Sequence, residues 1–325
     1  MNEKIFNPII GFIIGDAVGI PYEFKKRGTF ECTDMRASAF SDAHLPLPLG
    51  SWSDDTSLLL CVLDALTIKE KYNYQEIPPM KAEAIKKRNE EIDKKVYNKF
   101  KGNFIKWITV GKFTNHGYKI PFDIGSSCRK GIPAMMFGAT NKTASHKSSN
   151  GNGGLMRIPP LAFFKYENDE ELLEYIKLFN KCSHNHQISH IGCLIYIKLA
   201  QNLMNDMNIR DALSKTVNSI DEKYKIPEYE RIWDLSLLDE NIDSIKSSGY
   251  VVDTLEASIW CCNKSATYKE TVLSAVNLGH DTDTIAAISG FLSGIYHKNI
   301  PEEWIRNIRK ISTVKKICSK FKERI

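Results

Sequence analysis

The sequence predicts an all-α fold, and three observations predict it. Apolar residues recur at helical spacing through most of the chain. No stretch alternates apolar and polar side chains with the β-branched residues that strands favour. The glycine, asparagine and aspartate residues gather at 11–23, 50–56, 123–127, 149–157 and 279–284, where they read as interhelical loops and helix starts. With 42% hydrophobic residues to fill a core and 26% charged residues to cover it, the 325 residues suit one large helical domain spanning 1–325. No fixed-period repeat or low-complexity linker offers a place to divide it.

Along the chain, the N-terminal apolar stretch is interrupted by Pro8 and Asp16, too broken for the hydrophobic region of a signal peptide. Thr56–Lys69 is apolar nearly all round, which predicts a buried central helix. Pro78-Pro79 then breaks the chain before Met80–Phe100, a charged amphipathic segment. Residues 76–101 therefore read as a charged surface helix or an insertion. Helical spacing returns in Glu170–Asn180, Ile188–Met204, Thr254–Cys262, Tyr268–Val276 and Thr284–Tyr296. Residues 205–250 are polar and irregular, a variable segment with no recognisable chemistry.

Lys+Arg 44 against Asp+Glu 39 leaves a formal charge of +5, much of it in Lys81–Lys101 and Arg306–Arg324. Both stretches read as solvated helix faces. Without a stronger bias or a reading motif, nucleic acid is not the expected partner. Eight cysteines are scattered with no C-x-x-C pair, mostly inside apolar runs, which predicts buried, reduced thiols. No apolar run is expected to span a membrane, so a monomeric cytoplasmic protein is the expectation.

Two acidic clusters carry the chemistry. Gly50-Ser51-Trp52-Ser53-Asp54-Asp55-Thr56 runs directly into one apolar helix, and Gly279-His280-Asp281-Thr282-Asp283-Thr284 opens another. One Ser or Asp suffices to cap a helix. Two carboxylates plus flanking hydroxyls at both starts exceed that need. Hard divalent cations do need such a set, because Mg²⁺ and Mn²⁺ prefer carboxylate and hydroxyl oxygens. A pair of ions about 3.5–4 Å apart can hold an attacking water and polarise a substrate oxygen. No C-x-x-C pair points to zinc instead. The chain therefore reads as a two-metal hydrolase.

Five motifs occur in order: Gly15-Asp16-Ala17-Val18-Gly19-Ile20-Pro21-Tyr22-Glu23, Ser53-Asp54-Asp55-Thr56, Phe122-Asp123-Ile124-Gly125, Gly151-Asn152-Gly153-Gly154-Leu155-Met156-Arg157 and Asp281-Thr282-Asp283-Thr284. Together they resemble the ADP-ribosylglycohydrolase family, over residues 11 to about 297. The resemblance implies an all-α fold with two Mg²⁺ or Mn²⁺ ions in a cleft. It also implies cleavage at the anomeric carbon of ADP-ribose on a modified protein, with ADP-ribose as product.

Carried over by position, the implied metal ligands are Ser53, Asp54, Asp55, Asp281, Asp283 and Thr284. The family pattern often has glycine where His280 stands. Gly151, Asn152 and Gly153 would bind substrate, since glycines let backbone amides approach a pyrophosphate, and His184 aligns with a histidine beside the ligand. Arg157 reads as a phosphate partner or half of an interior ion pair, and Asp16 as a structural brace. Asp123 and Glu23 compete as the catalytic carboxylate that glycoside hydrolysis requires. Asp123 matches the general base of the arginine-specific branch and Glu23 the acid of the serine-specific branch. Structurally, Asp123 could instead cap a helix starting near Ser126, and Glu23 could pair with Lys25 or Arg27. The Phe-Asp-Ile-Gly match points to an N-glycosidic bond to arginine. The alternatives are ADP-ribosyl-serine, O-acetyl-ADP-ribose, nucleic-acid ADP-ribose, or a family member that binds ADP-ribose without turnover.

Overall fold

The computed structural model describes residues 3–37, 46–69, 82–138 and 141–325. They form thirteen α-helices joined by short 3₁₀ turns. Among them the only β pairing is an isolated bridge between Gly151 and Tyr250. The all-α expectation holds.

The centre of the fold is α1 (Glu3–Gly19) packed along α11 (Thr282–Tyr296), both buried over most of their lengths. Their closeness comes from small residues. A Cβ on Gly11 would lie 2.4 Å from Gly290 O, one on Gly15 2.0 Å from Ala286 O, and one on Gly19 2.3 Å from Asp283 Cα. These glycines were expected in a loop or helix start. They instead line one face of a helix interior, because backbone-to-backbone approach rewards the missing side chain more than glycine costs helix propensity. Glu3–Tyr22 is also long and apolar enough to cross a membrane, with mean hydropathy 1.4, contrary to the sequence expectation. Its all-round apolarity has a local explanation, since 89% of that window is buried inside the protein.

α2 (Asp54–Leu66) is the predicted central helix, fully apolar at 58–63. α3 (Ala82–Val110) takes in most of 76–101, the stretch expected as a charged surface helix or insertion, and runs beyond it. Ile92, Val96, Phe100, Phe104 and Trp107 are buried along one face, with Phe100 edge-on to Phe179 at 5.2 Å. The Pro78-Pro79 break lies outside the described residues. α4 (Ser126–Phe137), α5 (Asp169–Asn180) and α6 (Gln187–Leu203) follow. The variable segment holds α7 (Ile209–Ser219) and α8 (Glu230–Trp233). α9 (Val251–Lys264) and α10 (Tyr268–Asn277) pack against α11. α12 (Glu302–Asn307) and α13 (Ile311–Lys322) end the chain, α13 burying Val314, Ile317, Cys318 and Phe321 beneath a basic outer face. All eight cysteines are buried and unbridged, as their setting predicted.

Candidate active site at two facing helix starts

The two acidic motifs begin α2 and α11, and the fold turns those two starts towards each other. At the first, Ser53 is the N-cap and accepts from the Asp55 amide at 3.1 Å. Asp16, buried in α1, braces this start from behind. Its carboxylate accepts from the Ser53 amide at 3.0 Å, the Thr56 amide at 3.0 Å and the Thr56 hydroxyl at 2.5 Å. Asp16 thus takes much of the capping work, which frees Asp54 and Asp55 for other partners. At the second start, Thr282 donates its hydroxyl to Gly19 O at 2.9 Å, so the Gly19–Asp283 approach is locked in register.

The site's third wall is the segment before α4. Trp52 N–H donates to Asn115 Oδ1 at 2.9 Å and Asn115 donates to Gly50 O at 2.8 Å, which ties this loop to the start of α2. Asp123 follows in a left-handed conformation, φ 54°, half-buried, and the Gly125 amide hydrogen-bonds the Asp54 carboxylate. The N-cap of α4 is Gly125, which offers no side chain to cap the helix.

Glu23, Asp123 and Asp283 each place a carboxylate oxygen so that all three lie within 4.8 Å of one another. The two candidate catalytic carboxylates therefore join Asp283 in one constellation. Arg27 is committed elsewhere, donating to the carbonyls of Leu278, Ile242 and Ile245, so it does not pair with Glu23.

Burial first, then mutual repulsion, lifts these acids. Asp54 is pushed well above the usual carboxylate range by burial, Asp123 and Asp16; Asp55 by burial, Asp283 and Asp16; Asp283 by burial, Asp123 and Asp281. Glu23 rises for the same reasons, with Asp283 and Asp123 its strongest neighbours. Asp281 rises through burial, while hydrogen bonds from Thr284 and Asn152 restrain it. Burial moves Asp16 to about 6.

Two buried oxygens, Asp55 Oδ2 and Asp283 Oδ1, have no hydrogen-bond partner. Orphaned carboxylate oxygens among mutually repelling acids are what a hard cation would satisfy. The donor set fits such an ion: anionic oxygens from Asp54, Asp55, Asp281, Asp283, Glu23 and Asp123, with the hydroxyls of Ser53 and Thr284 beside them.

The glycine-rich loop forms the floor. Asn152 donates its side-chain amide to Asp281 Oδ2 at 3.0 Å and to Thr254 Oγ1 at 2.9 Å, and its backbone N–H to Gly249 O at 2.9 Å. The groups expected to meet substrate at this residue are directed instead at a carboxylate and its support. Gly153 and Gly154 make room for His184, whose Cε1 would lie 2.8 Å from a Cβ on Gly153. His184 is buried, bonded through Nδ1 to Ser183 Oγ at 2.8 Å, and held well below the ordinary histidine range by burial and then by Arg157. It supports the loop as a neutral ring. Arg157 is fully buried but is no half of an ion pair among the described residues. It donates to Gly153 O at 2.6 Å and to Cys128 Sγ at 2.9 Å. His280 is exposed.

One contributor was missed in the sequence. Ser247 O accepts from the Asp281 amide at 3.0 Å, and a Cβ on Gly249 would lie 2.8 Å from Asp281 Oδ2. The Ser247-Ser248-Gly249 turn thus belongs to the site, though it ends a segment without visible chemistry. The glycine two residues before an apolar helix was the available signal.

The sequence model of the ADP-ribosylglycohydrolase family matches residues 2–325. The chain is 25% identical over 328 residues to the ADP-ribosylarginine hydrolase Tri1 of Pseudomonas putida (strain GB-1), covering 99% of this chain and 78% of that protein. It is 22% identical to the ADP-ribosyl-[dinitrogen reductase] glycohydrolase of Rhodospirillum rubrum, covering 95% and 91%. A solved ADP-ribosylglycohydrolase-related protein complex shares the fold, with TM-score 0.70 and 20% identity over 98% of this chain and 96% of that one.

Proposed function

The chain belongs to the ADP-ribosylglycohydrolase family, and from that premise we propose that it is a two-metal hydrolase releasing ADP-ribose from ADP-ribosylated arginine. The observation that carries this reading is the meeting of Asp123, Glu23 and Asp283, with ligand oxygens within 4.8 Å, between two acidic helix starts. Similarity to an arginine-directed hydrolase across nearly the whole chain supports the choice of leaving group.

Asp54, Asp55, Asp281 and Asp283, with Ser53, Thr284 and Glu23, would hold two Mg²⁺ or Mn²⁺ ions. When bound, the ions supply positive charge that orients ribose hydroxyls and acidifies water. Asp123 takes the proton of the water attacking the anomeric carbon. The C–N bond to the guanidinium breaks through an oxocarbenium-like state, and the proton passes to the departing guanidine. Asp123 suits this task because its left-handed backbone aims the carboxylate at Glu23 and Asp283. The Gly151-Asn152-Gly153 loop, carried by His184, lines the floor on which the substrate lies. Fixing the reacting carbon against these groups contributes most of the acceleration.

The test is release of free ADP-ribose from an ADP-ribosyl-arginine protein with Mg²⁺ or Mn²⁺. Release is expected, and it should be abolished by chelator or by Asp283→Ala. No release, or release indifferent to both treatments, sinks the reading. A fully active Asp123→Ala variant would move the base role to Glu23 and favour a serine-linked substrate.

A further inference from the structure

Two residues beside the acidic cluster adopt a backbone their side chains disfavour. Phe24 and His280 both have φ 62°, in the left-handed region. They clamp one another: Phe24 N–H donates to His280 O at 2.7 Å, and His280 N–H donates to Lys25 O at 2.7 Å. A bulky aromatic residue at positive φ is an outlier that glycine would relieve. The fold gains no burial in return, because Phe24 is 67% exposed and His280 is exposed as well. Neither conformation nor core packing accounts for a phenylalanine here. Strain held in place by surrounding bonds is characteristic of functional positions.

The position is specific. Phe24 directly follows Glu23, whose carboxylate is in the cluster, and His280 directly precedes Asp281, which Asn152 holds. The clamp therefore fixes the backbone of two exposed residues, each next in sequence to a carboxylate of the cluster.

Resting on the arginine reading above, we propose that Phe24, with His280 beside it, is the specificity-determining platform on which the planar guanidinium of the modified arginine stacks. The charge at the mouth favours that occupant. Glu23, Asp54, Asp55, Asp123, Asp281 and Asp283 carry more formal negative charge than two divalent ions neutralise. A delocalised planar cation is drawn to such a site and stacks on an aromatic face. A serine-linked or acetyl-linked ADP-ribose offers no such group there.

The experiment compares Phe24→Gly and Phe24→Tyr with the parent protein. Glycine removes the ring and accepts the left-handed backbone, so folding is preserved. Read-outs are kcat/KM on an ADP-ribosyl-arginine protein and the affinity for free ADP-ribose by calorimetry. The expected result is a loss of about tenfold in kcat/KM for Phe24→Gly, near-parent values for Phe24→Tyr, and ADP-ribose affinity within about twofold of the parent. An unchanged kcat/KM, or an equal loss of ADP-ribose affinity, overturns the platform while leaving the arginine reading intact. A parent protein that releases nothing from the arginine substrate overturns both.

Discussion

Thr254→Val tests whether Asp281 is aimed by its neighbours. Thr254 is fully buried; its hydroxyl accepts from Asn152 Nδ2 at 2.9 Å and donates to Ser248 O at 3.2 Å. The same Asn152 nitrogen donates to Asp281 Oδ2 at 3.0 Å. Valine matches threonine in shape, so no cavity opens and only the hydroxyl is lost. One buried Asn152 N–H and the Ser248 carbonyl lose their partner, which costs about 1–3 kcal/mol of stability. The freed amide can then rotate, and a ligand deprived of its orienting partner binds metal about ten- to a hundredfold more weakly. Urea denaturation reads the first quantity and a Mn²⁺ titration by calorimetry reads the second. Thr254→Ser should restore both. Unfolding free energy within about 0.5 kcal/mol of the parent, together with an unmoved Mn²⁺ isotherm, refutes the reasoning.

Gly19→Ala places a Cβ 2.3 Å from Asp283 Cα and 2.6 Å from its amide, so α11 must shift. A stability loss of about 1–3 kcal/mol and weakened Mn²⁺ binding are expected by the same two assays. Arg157→Lys loses the bonds to Gly153 O and Cys128 Sγ that the guanidinium fork makes, and denaturation should show a loss of at least about 2 kcal/mol. Burial, then Lys177, lowers His190 to about 4. Its folded pKa lies below the unfolded value, so stability falls as pH drops from about 6.5 through about 4; His190→Gln should flatten that limb by up to about 3 kcal/mol. The carboxyls of Glu23, Asp54, Asp55 and Asp283 lie above their unfolded values, so their contribution is present in acid and lost as pH rises. Chelated protein should therefore lose stability as the solution becomes alkaline, and Mg²⁺ should remove that slope in thermal melts.

How much of this could be read in the chain depends on how local each cause is. Helical periodicity is local, so α5, α6, α9, α10 and α11 lie within a few residues of their expected limits. The starts of α2 and α11 were legible because capping chemistry and surplus carboxylates share one short motif. Gly11, Gly15 and Gly19 were misplaced because their reason lies on α11, some 270 residues away in sequence. Likewise, no local pattern distinguishes an Asn152 aimed at substrate from one aimed at Asp281. α3 was legible as the charged amphipathic segment Met80–Phe100, though it runs on to Val110.

Magnitudes decide what the acidic cluster requires. Asp54, Asp55 and Asp283 lie in the first turns of α2 and α11, where the helix dipole favours an anion by about 0.3–1 kcal/mol each. Two ionised carboxylates within 4.8 Å repel by at least about 3 kcal/mol even at an effective dielectric of 20. The helix starts alone therefore cannot hold Glu23, Asp123 and Asp283 ionised together. Either protons or cations must enter. Protons would leave a cluster of neutral acids, and Asp281 and Asp283 do share a side-chain hydrogen bond, while Asp55 Oδ2 and Asp283 Oδ1 have no partner among the described residues. Cations would satisfy both orphaned oxygens and the repulsion at once, and would leave Asp123 ionised to accept a proton. The same charge that makes the bare cluster unfavourable would suit it to the metal-dependent hydrolysis proposed for it.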